Sequence, residues 1–573
     1  MKKSIAFSLI LIFTTHTINS QKKAAQQDTI FNQKVVLERE FNPIFRDASR
    51  IEIMPQITEP KTEKAAIKYQ FSRLDTTFPI QWNTLPPEKK MDSFDYSTQT
   101  AFVNLGLGLP ANSFLNGSME ILNDKKNHLS ASIDHRSIKD NRTILQTDEK
   151  QSVYSADTKV NLNYSRPFDL FLLDASTAFT HSNFNYFGYS GNITLNPSAS
   201  TEQTNNVFNI QAHAHSVEGS EIEYTAGFQY NYFDKKSGSI STINGSKEHN
   251  LLIEGDFKKT LTKKTLVGLE TSLNNFIYTK DTAAFLNEYQ PQNSGHLKFA
   301  PYYELVEKNY KIRAGLKSEF AFYNHVKAYF APVIDGLWEF TPKFFALVNI
   351  SGGTQMNSFS ETDVQCRYLN PGISLHQTFT PLDALLSLKS NVIPRLEVEL
   401  STGFKSGDEY YFSSRKIQNT NYLFPAALTN TKQYKVGFLA KYELKDLGDI
   451  TLKLNKYQYH RTGFANATND AAIAWDKPSF EMSLDGDFKV NEKINVQLNY
   501  YLASGRYGLE DGLVYNSVKL NAINQLNLSG RYTFDKRWSA FAQMNNILLQ
   551  KYDLWLGMPA QNFNFVLGAG FSY

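Results

Sequence analysis

Apolar and polar residues alternate along the last strand-like stretch of the chain, residues 563–573. Successive side chains of a strand point to opposite faces, so this pattern predicts one apolar face and one face of small or polar side chains. The apolar face consists of Phe563, Phe565, Leu567, Ala569, Phe571 and Tyr573. A membrane barrel with lipid outside and water inside accounts for such a strand, and the core of a soluble sandwich would also accommodate it.

The same alternation recurs along much of the chain. Residues 222–232, 396–404, 494–500 and 526–534 each place aliphatic or aromatic side chains at every second position. The intervening positions carry Glu, Asn, Gln, Lys and Arg, which cannot fill a dry core because unpaired buried charges are costly. The polar side of the predicted sheet is therefore wet, which favours the membrane barrel.

Short and long connections alternate between the predicted strands. The tight ones fall at 123–127, 166–169, 262–264, 307–309, 446–449, 490–493 and 535–537. The longer ones fall at 140–150, 190–202, 280–292, 356–381, 407–432 and 462–477. Short periplasmic turns and long outer loops are typical of bacterial outer-membrane barrels. One strand on each side of every turn predicts an all-β, transmembrane antiparallel β-barrel of about 22 strands over residues 98–573.

The beginning of the chain predicts export. A basic start and an apolar run at residues 5–13 are followed by small and polar residues before Gln21. This order is that of a secretory signal peptide, predicted at residues 1–20. The apolar run is shorter than the roughly 20 residues that a membrane-spanning helix needs, and no later segment approaches that length.

The amino-acid composition supports the barrel prediction and indicates no nucleic-acid partner. Aromatic residues make up 14% of the 573 residues, with 42 Phe and 31 Tyr, although the mean hydropathy is negative. Strands with one lipid-facing side and aromatic girdles produce this combination. The formal net charge of +3 is too small to indicate nucleic-acid binding. Cys366 is the only cysteine of the chain, so no internal disulfide is predicted.

Residues 21–97 predict a short, Pro-rich periplasmic arm. The chain has 19 prolines, and this stretch contains Pro43, Pro55, Pro60, Pro79, Pro86 and Pro87. Proline interrupts helices and central strands, so the arm does not form a large globular domain. Its Val35, Val36 and Leu37 form a strand-like piece that could add to a sheet edge of a periplasmic partner. An extended linker or lumen filler explains the segment as well.

Candidate chemical groups are few, and none predicts catalysis. His213 and His215 share a strand face, but two ligands do not complete a zinc site, and lumen-facing polar residues explain them better. Asp134 and His135 are neighbours that point to opposite faces of a strand, so they do not hydrogen-bond directly. The sequence shows no phosphate-binding loop, nucleophile elbow or zinc spacing, and we predict no enzyme activity, metal or cofactor.

An aromatic stretch, residues 183–189, marks the start of a predicted outer loop. Its Phe184, Tyr186 and Tyr189 are candidates for stacking on a ring-bearing ligand. A girdle at the membrane interface also accounts for these rings and is the preferred interpretation.

The end of the chain resembles that of TonB-dependent receptors. Residues 544–552, a loop with Trp555, Gly557 and Pro559, and the aromatic-ended final strand are similar to the closing elements of that family. Residues 368–371 followed by 380–381 are similar to plug-poor members from the Bacteroidetes lineage. The resemblance covers residues 98–573.

This resemblance has two structural implications. It implies a barrel of about 22 strands. It also implies a final strand, ending in Phe571 and Tyr573, that pairs with the first strand near residues 101–109 and carries the signal for barrel assembly.

The resemblance leaves two hypotheses for function. The family takes up solutes through a barrel that holds a plug domain, and residues 21–97 are too few for a complete plug. One hypothesis is uptake or binding of an unidentified solute, with a periplasmic energy transducer as partner. The other is a non-transporting barrel subunit that holds the proteins of an outer-membrane complex. Both place the protein in the outer membrane, in contact with its lipid.

Overall fold

The structure is a computed structural model of the 573-residue chain. It describes residues 100–124, 126–188, 201–217, 219–235, 247–279, 292–323, 325–369, 377–416, 424–462, 472–511 and 516–573. The predicted signal peptide and the predicted arm, with Val35, Val36 and Leu37, lie outside these residues.

A closed antiparallel barrel of 22 strands contains most of the described residues, which confirms the predicted fold class. Each barrel strand pairs with the next one along the chain. The barrel strands are β1 (Ala101–Leu109), β2 (Asn112–Asn123), β3 (His128–Thr143), β4 (Lys150–Pro167), β5 (Phe171–Asn185), β6 (Glu202–Ser216), β7 (Glu223–Lys235), β8 (Lys247–Thr262), β9 (Thr265–Thr279), β10 (Ser294–Val306), β11 (Tyr310–Phe322), β12 (Val326–Thr341), β13 (Phe344–Gln355), β14 (Thr378–Ser390), β15 (Leu396–Lys416), β16 (Phe424–Glu443), β17 (Gly448–Thr462), β18 (Phe480–Asn491), β19 (Ile494–Ser504), β22 (Ile523–Thr533), β23 (Trp538–Asn545) and β26 (Asn564–Ser572).

The remaining elements belong to connections between barrel strands. They are the hairpin β20 (Tyr507–Asp511) and β21 (Asn516–Lys519), the pair β24 (Asp553–Trp555) and β25 (Met558–Pro559), the helix α1 (Phe359–Gln365) and a 3-10 turn (Lys445–Leu447). Within the described residues, no helix is long and apolar enough to cross a membrane.

The barrel closes where its last strand meets its first. β26 pairs antiparallel with β1 from Phe102 opposite Ser572 to Leu109 opposite Phe565. The N–H of Thr100 donates to the carbonyl of Tyr573 at 2.6 Å. The start of the first strand and the end of the last strand are therefore adjacent, at the end of the barrel that carries the short turns. In bacterial barrels this is the periplasmic end. The predicted pairing with residues 101–109 is therefore confirmed, and the role in assembly remains a prediction.

Exposure follows the alternation of the sequence. Leu105, Leu107 and Leu109 of β1 are 56%, 73% and 63% exposed, and Leu567 of β26 is 58% exposed. These side chains share the outer face of the closed barrel, where lipid covers them. The apolar face of the terminal strand thus faces lipid and does not pack in the core of a sandwich.

The sequence prediction was wrong about most of the outer connection at residues 407–432. β15 continues to Lys416 and β16 begins at Phe424, so most of this stretch is strand. Beyond the membrane both faces of a hairpin meet water, so the apolar alternation disappears while the backbone ladder continues.

The lumenal side of the closing seam requires a glycine. A Cβ built on Gly568 would lie 2.1 Å from Cζ of Phe541 and 2.4 Å from the carbonyl oxygen of Leu105. The carbonyl belongs to the backbone of β1, which cannot withdraw without disturbing the ladder that closes the barrel. Glycine at this position therefore allows the seam to pack closely.

We expect Gly568→Ala to destabilise the folded barrel by about 1–3 kcal/mol, the usual cost of an overpacked site. The measurement is the temperature at which the fast-migrating folded band disappears on a denaturing gel. Gly530→Ala is the matched control, because a Cβ there would meet a carbonyl oxygen no closer than 3.9 Å. Equal transition temperatures for the two variants would contradict the close approach at the seam.

Candidate functional site at the barrel mouth

The connection between β13 and β14 enters the barrel. We call its described part, residues 356–369, the crossing segment. It leaves the end of β13, and its Arg367 guanidinium lies 3.1 Å from the carboxylate of Asp157 on β4. β13 and β4 are nine strands apart in a closed barrel of 22, so they stand nearly opposite each other. The crossing segment therefore spans the extracellular mouth.

Helix α1 begins at a local capping signal. The Ser358 hydroxyl accepts a hydrogen bond from the N–H of Glu361 at 3.0 Å. A serine three residues before a glutamate is a known start signal for helices. Residues 356–381 were predicted as a long connection, and the pair of Ser358 and Glu361 is the sequence signal that indicates α1 within it.

Helix α1 packs on the lumenal wall. The N–H of Phe359 donates to the carboxylate of Glu248 at 2.6 Å, and Glu248 is fully buried. Nδ2 of Asn231 donates to the Ser360 hydroxyl at 3.2 Å. The ring of Phe359 packs in a buried cluster with Phe233, Phe276 and Tyr278. Polar and apolar contacts together hold the helix against β7, β8 and β9.

A buried ion pair fixes the end of α1. Nζ of Lys235 lies 3.2 Å from the carboxylate of Asp363, and the two side chains are 3% and 16% exposed. The same ammonium donates to the carbonyl of Arg367 at 3.1 Å. Nδ2 of Asn205 donates to Asp363 at 2.7 Å. Removing one partner of such a pair typically costs about 3–5 kcal/mol, because the other charge is left buried and unpaired. We call Lys235 and Asp363 the latch.

The far end of the crossing segment is packed in an apolar cluster. Cys366 is 4% exposed and contacts the cluster of Ile144, Val153, Phe187 and Met558, with Tyr368, Leu369 and Trp555 at its edge. Burial raises the pKa of the Cys366 thiol well above its ordinary value. The thiol therefore stays protonated and unreactive at neutral pH.

Connections from the other side of the barrel join this cluster. Arg506 donates to the carbonyl of Asp553 at 2.8 Å, and Nε2 of Gln146 donates to the Asp553 carboxylate at 2.7 Å. Trp475 is fully buried in a second cluster with Phe412, Tyr457, Tyr459, Ala474 and Leu509. A layer of packed connections thus extends around part of the mouth, from β4 to β17. We call it the mouth layer.

The predicted ligand-stacking residues lie beneath this layer. Phe184 is fully buried and Tyr186 is 3% exposed. The Phe184 ring stands 6.0 Å from the ring of Tyr368, and the Tyr186 hydroxyl donates to the carbonyl of Leu369 at 3.5 Å. Both rings face inward and are not part of an outer girdle. Contact with a ligand would require the crossing segment to move, and the third candidate, Tyr189, lies outside the described residues.

The other candidate pairs lie on the strand faces that the sequence predicted. The rings of His213 and His215 stack at 6.2 Å on the lumenal face of β6. No group of three His, Cys, Asp or Glu side chains that could hold a metal occurs among the described residues. Asp134 accepts from Nδ2 of Asn116 at 3.2 Å inside the barrel. His135 lies on the outer face, where its Nδ1 is hydrogen-bonded to the Thr158 hydroxyl at 2.8 Å.

The lumenal wall is charged and largely paired. Lys405 and Asp383 lie 2.6 Å apart, and Arg313 pairs with Glu270. Lys405 and Asp383 connect the neighbouring strands β15 and β14, and Arg313 of β11 reaches past β10 to Glu270 of β9. Charged side chains on the inner face are typical of a water-filled lumen.

Comparisons with known proteins support the fold. No protein-family model and no curated protein matches the sequence. Among solved structures, the FrpB iron transporter from Neisseria meningitidis is similar, with a TM-score of 0.63 and 8% identity over 82% of each chain. The ferric-catecholate import receptor Fiu from K12 E. coli has a TM-score of 0.59 and 10% identity over 83% of this chain and 82% of that chain. The copper transporter OprC has a TM-score of 0.56 and 10% identity over 82% of this chain and 80% of that chain. The chain therefore has the barrel fold of TonB-dependent receptors, as the resemblance of its final segment predicted.

Proposed function

We propose that the protein is an outer-membrane receptor that takes up a solute through its barrel, and that the crossing segment is its gate. The mouth layer carries this proposal, because packed connections that include the crossing segment lie above a wide lumen lined by charged side chains. The structural neighbours include an iron transporter and a copper transporter, which supports uptake as the activity. Export by the predicted signal peptide, residues 1–20, would bring the barrel to the outer membrane.

The contacts of the crossing segment suit a part that moves. Lys235 with Asp363, and Glu248 with the start of α1, are polar contacts that water can replace when the segment leaves the wall. A buried ion pair contributes little net stability, because the attraction between the two charges is offset by the cost of removing them from water. The pair does specify one geometry. The crossing segment is therefore held in a defined closed position that can be released at moderate cost.

Cys366 provides a reporter for this release. It is the only cysteine of the chain, and it is buried in the closed mouth. We expect Lys235→Met to weaken the latch by about 3 kcal/mol, which raises the open population roughly a hundredfold. The rate at which a maleimide labels Cys366 in the folded barrel should rise accordingly.

Two variants control this measurement. In Lys235→Met/Asp363→Leu both charges are replaced, so no unpaired buried charge remains and labelling should return toward the wild-type rate. Lys389→Met removes a lysine that pairs with Glu397 at 2.9 Å near the periplasmic turns, and it should leave the labelling of Cys366 unchanged. Slow labelling of Lys235→Met, equal to wild type, would reject the latch.

A second candidate function is a non-transporting subunit of an outer-membrane complex. The same mouth layer favours it, because a barrel closed by its own loops needs no plug and can serve as a scaffold. In this alternative the arm, residues 21–97 with Val35, Val36 and Leu37, would hold a periplasmic partner. Protein partners that stay bound during purification, together with a Cys366 that never becomes accessible, would favour the scaffold over the receptor.

A further inference from the structure

Two lysines and a histidine share the outer face of β16 and β17. Lys432 stands opposite His460, and Lys456 stands opposite Val436, four residues further along each strand toward the periplasm. Lys432, Lys456 and His460 are all exposed. We call these three residues the basic patch.

The basic patch lies at the upper edge of the lipid-facing surface. Below it, the outer face of β17 is apolar, with Ile450, Leu452 and Leu454, and Val436 on β16 lies level with Lys456. A tilted strand climbs roughly 2.5 Å per residue, so an apolar band of about 25 Å takes about ten residues. Lys456 and His460 lie eight and twelve residues beyond Gly448, the periplasmic end of β17. At this rise Lys456 lies about 20 Å and His460 about 30 Å above Gly448, so the patch straddles the upper edge of the band. The long side chain of Lys456 can extend its ammonium to the headgroups of the outer leaflet.

The charges of the patch are not balanced by ion pairs. None of the three side chains forms a salt bridge with a described carboxylate, and Asp408 on β15 is the nearest acidic position on this face by register. By contrast, the outward Lys259 near the periplasmic turns pairs with Glu221 at 2.6 Å. An anion outside the barrel would complete the patch, and its height identifies where that anion comes from.

We propose that the basic patch binds the phosphate-bearing headgroup of an outer-leaflet glycolipid. Lys432 and Lys456 would contact phosphate oxygens, with His460 beside Lys432 as a further donor. Acyl chains would then lie along Val436, Leu454 and Leu452 of the apolar band. Tyr434 and Gln458, which oppose each other between the two lysines, offer polar groups for a sugar ring. This assignment is independent of whether the barrel transports a solute.

The test uses the full-length barrel and lipid A with two phosphates as the probe. Native mass spectrometry would count the lipid molecules that each folded barrel retains in detergent. We expect wild type to retain lipid A, and Lys432→Gln/Lys456→Gln to bind it roughly thirtyfold more weakly, since two cations near an anionic headgroup are lost. Heat-dependent migration on a gel verifies that each variant is folded.

A matched control carries the same charge change on the inner face. Lys327 and Lys453 are exposed lysines whose strand positions face the lumen, so Lys327→Gln/Lys453→Gln should bind lipid A as wild type does. Equal retention by the outer-face and inner-face variants would overturn the proposal. Equal binding of a dephosphorylated lipid A would also overturn it, as would displacement of lipid A by inorganic phosphate at the same concentration.

Discussion

Replacing residues 358–368 with a short Gly-Ser linker should turn a nearly closed barrel into a wide pore. The change removes α1, the latch at Asp363 and the contact of Arg367 with β4, while both flanking strands stay intact. A lumen of about 22 strands is wide enough for water and ions once nothing crosses it. In planar lipid bilayers we expect the single-channel conductance to rise by roughly an order of magnitude or more over wild type.

The control for this experiment is an equal linker in place of residues 391–395, the turn between β14 and β15. That turn lies at the periplasmic end and makes no contact with the mouth layer, so the conductance should remain that of wild type. An unchanged low conductance after loss of the crossing segment would reject it as the gate. Proteins that co-purify with such a closed barrel would then support the scaffold.

The barrel could be predicted from the sequence because its physics is local. Lipid on one side and water on the other impose a two-residue period on every strand, which a reader can follow along the chain. The terminal strand shows this clearly. Leu567 is exposed on the lipid face, whereas its neighbour Val566 lies on the lumenal face and is 7% exposed. The prediction failed at residues 407–432 because the period exists only where lipid is present.

The mouth layer could not be predicted, since contacts between distant residues create it. Glu248 meets Phe359 across 111 residues, and Arg142 donates to the carbonyl of Pro559 across 417 residues. Nothing near Glu248 in the sequence indicates a partner. Even Phe184, correctly placed at the start of an outer loop, gave no sign that Tyr368 would cover it.

Deleting residues 571–573 should remove most of the folded barrel from the membrane. Tyr573 and Ala101 exchange backbone hydrogen bonds of 2.8 and 3.0 Å, and the N–H of Ser572 donates to the carbonyl of Arg537 at 2.8 Å. The deletion leaves these groups of β1 and of the last turn without partners. An unpaired amide in apolar surroundings costs about 2–7 kcal/mol, so the seam should open at its periplasmic end. The readout is the amount of heat-modifiable protein in outer-membrane fractions.

Point variants separate the backbone from the terminal rings in this prediction. Tyr573→Phe keeps the ring and every backbone bond, so it should assemble as wild type. Phe571 packs on Trp538 with ring centroids 4.8 Å apart, and Phe571→Ala removes that contact while the ladder to Val103 remains. If the rings carry an assembly signal, Phe571→Ala should lower the folded amount although it deletes no hydrogen bond. Normal folded levels for the deletion itself would show that the β1 to β26 seam closes without its last three residues.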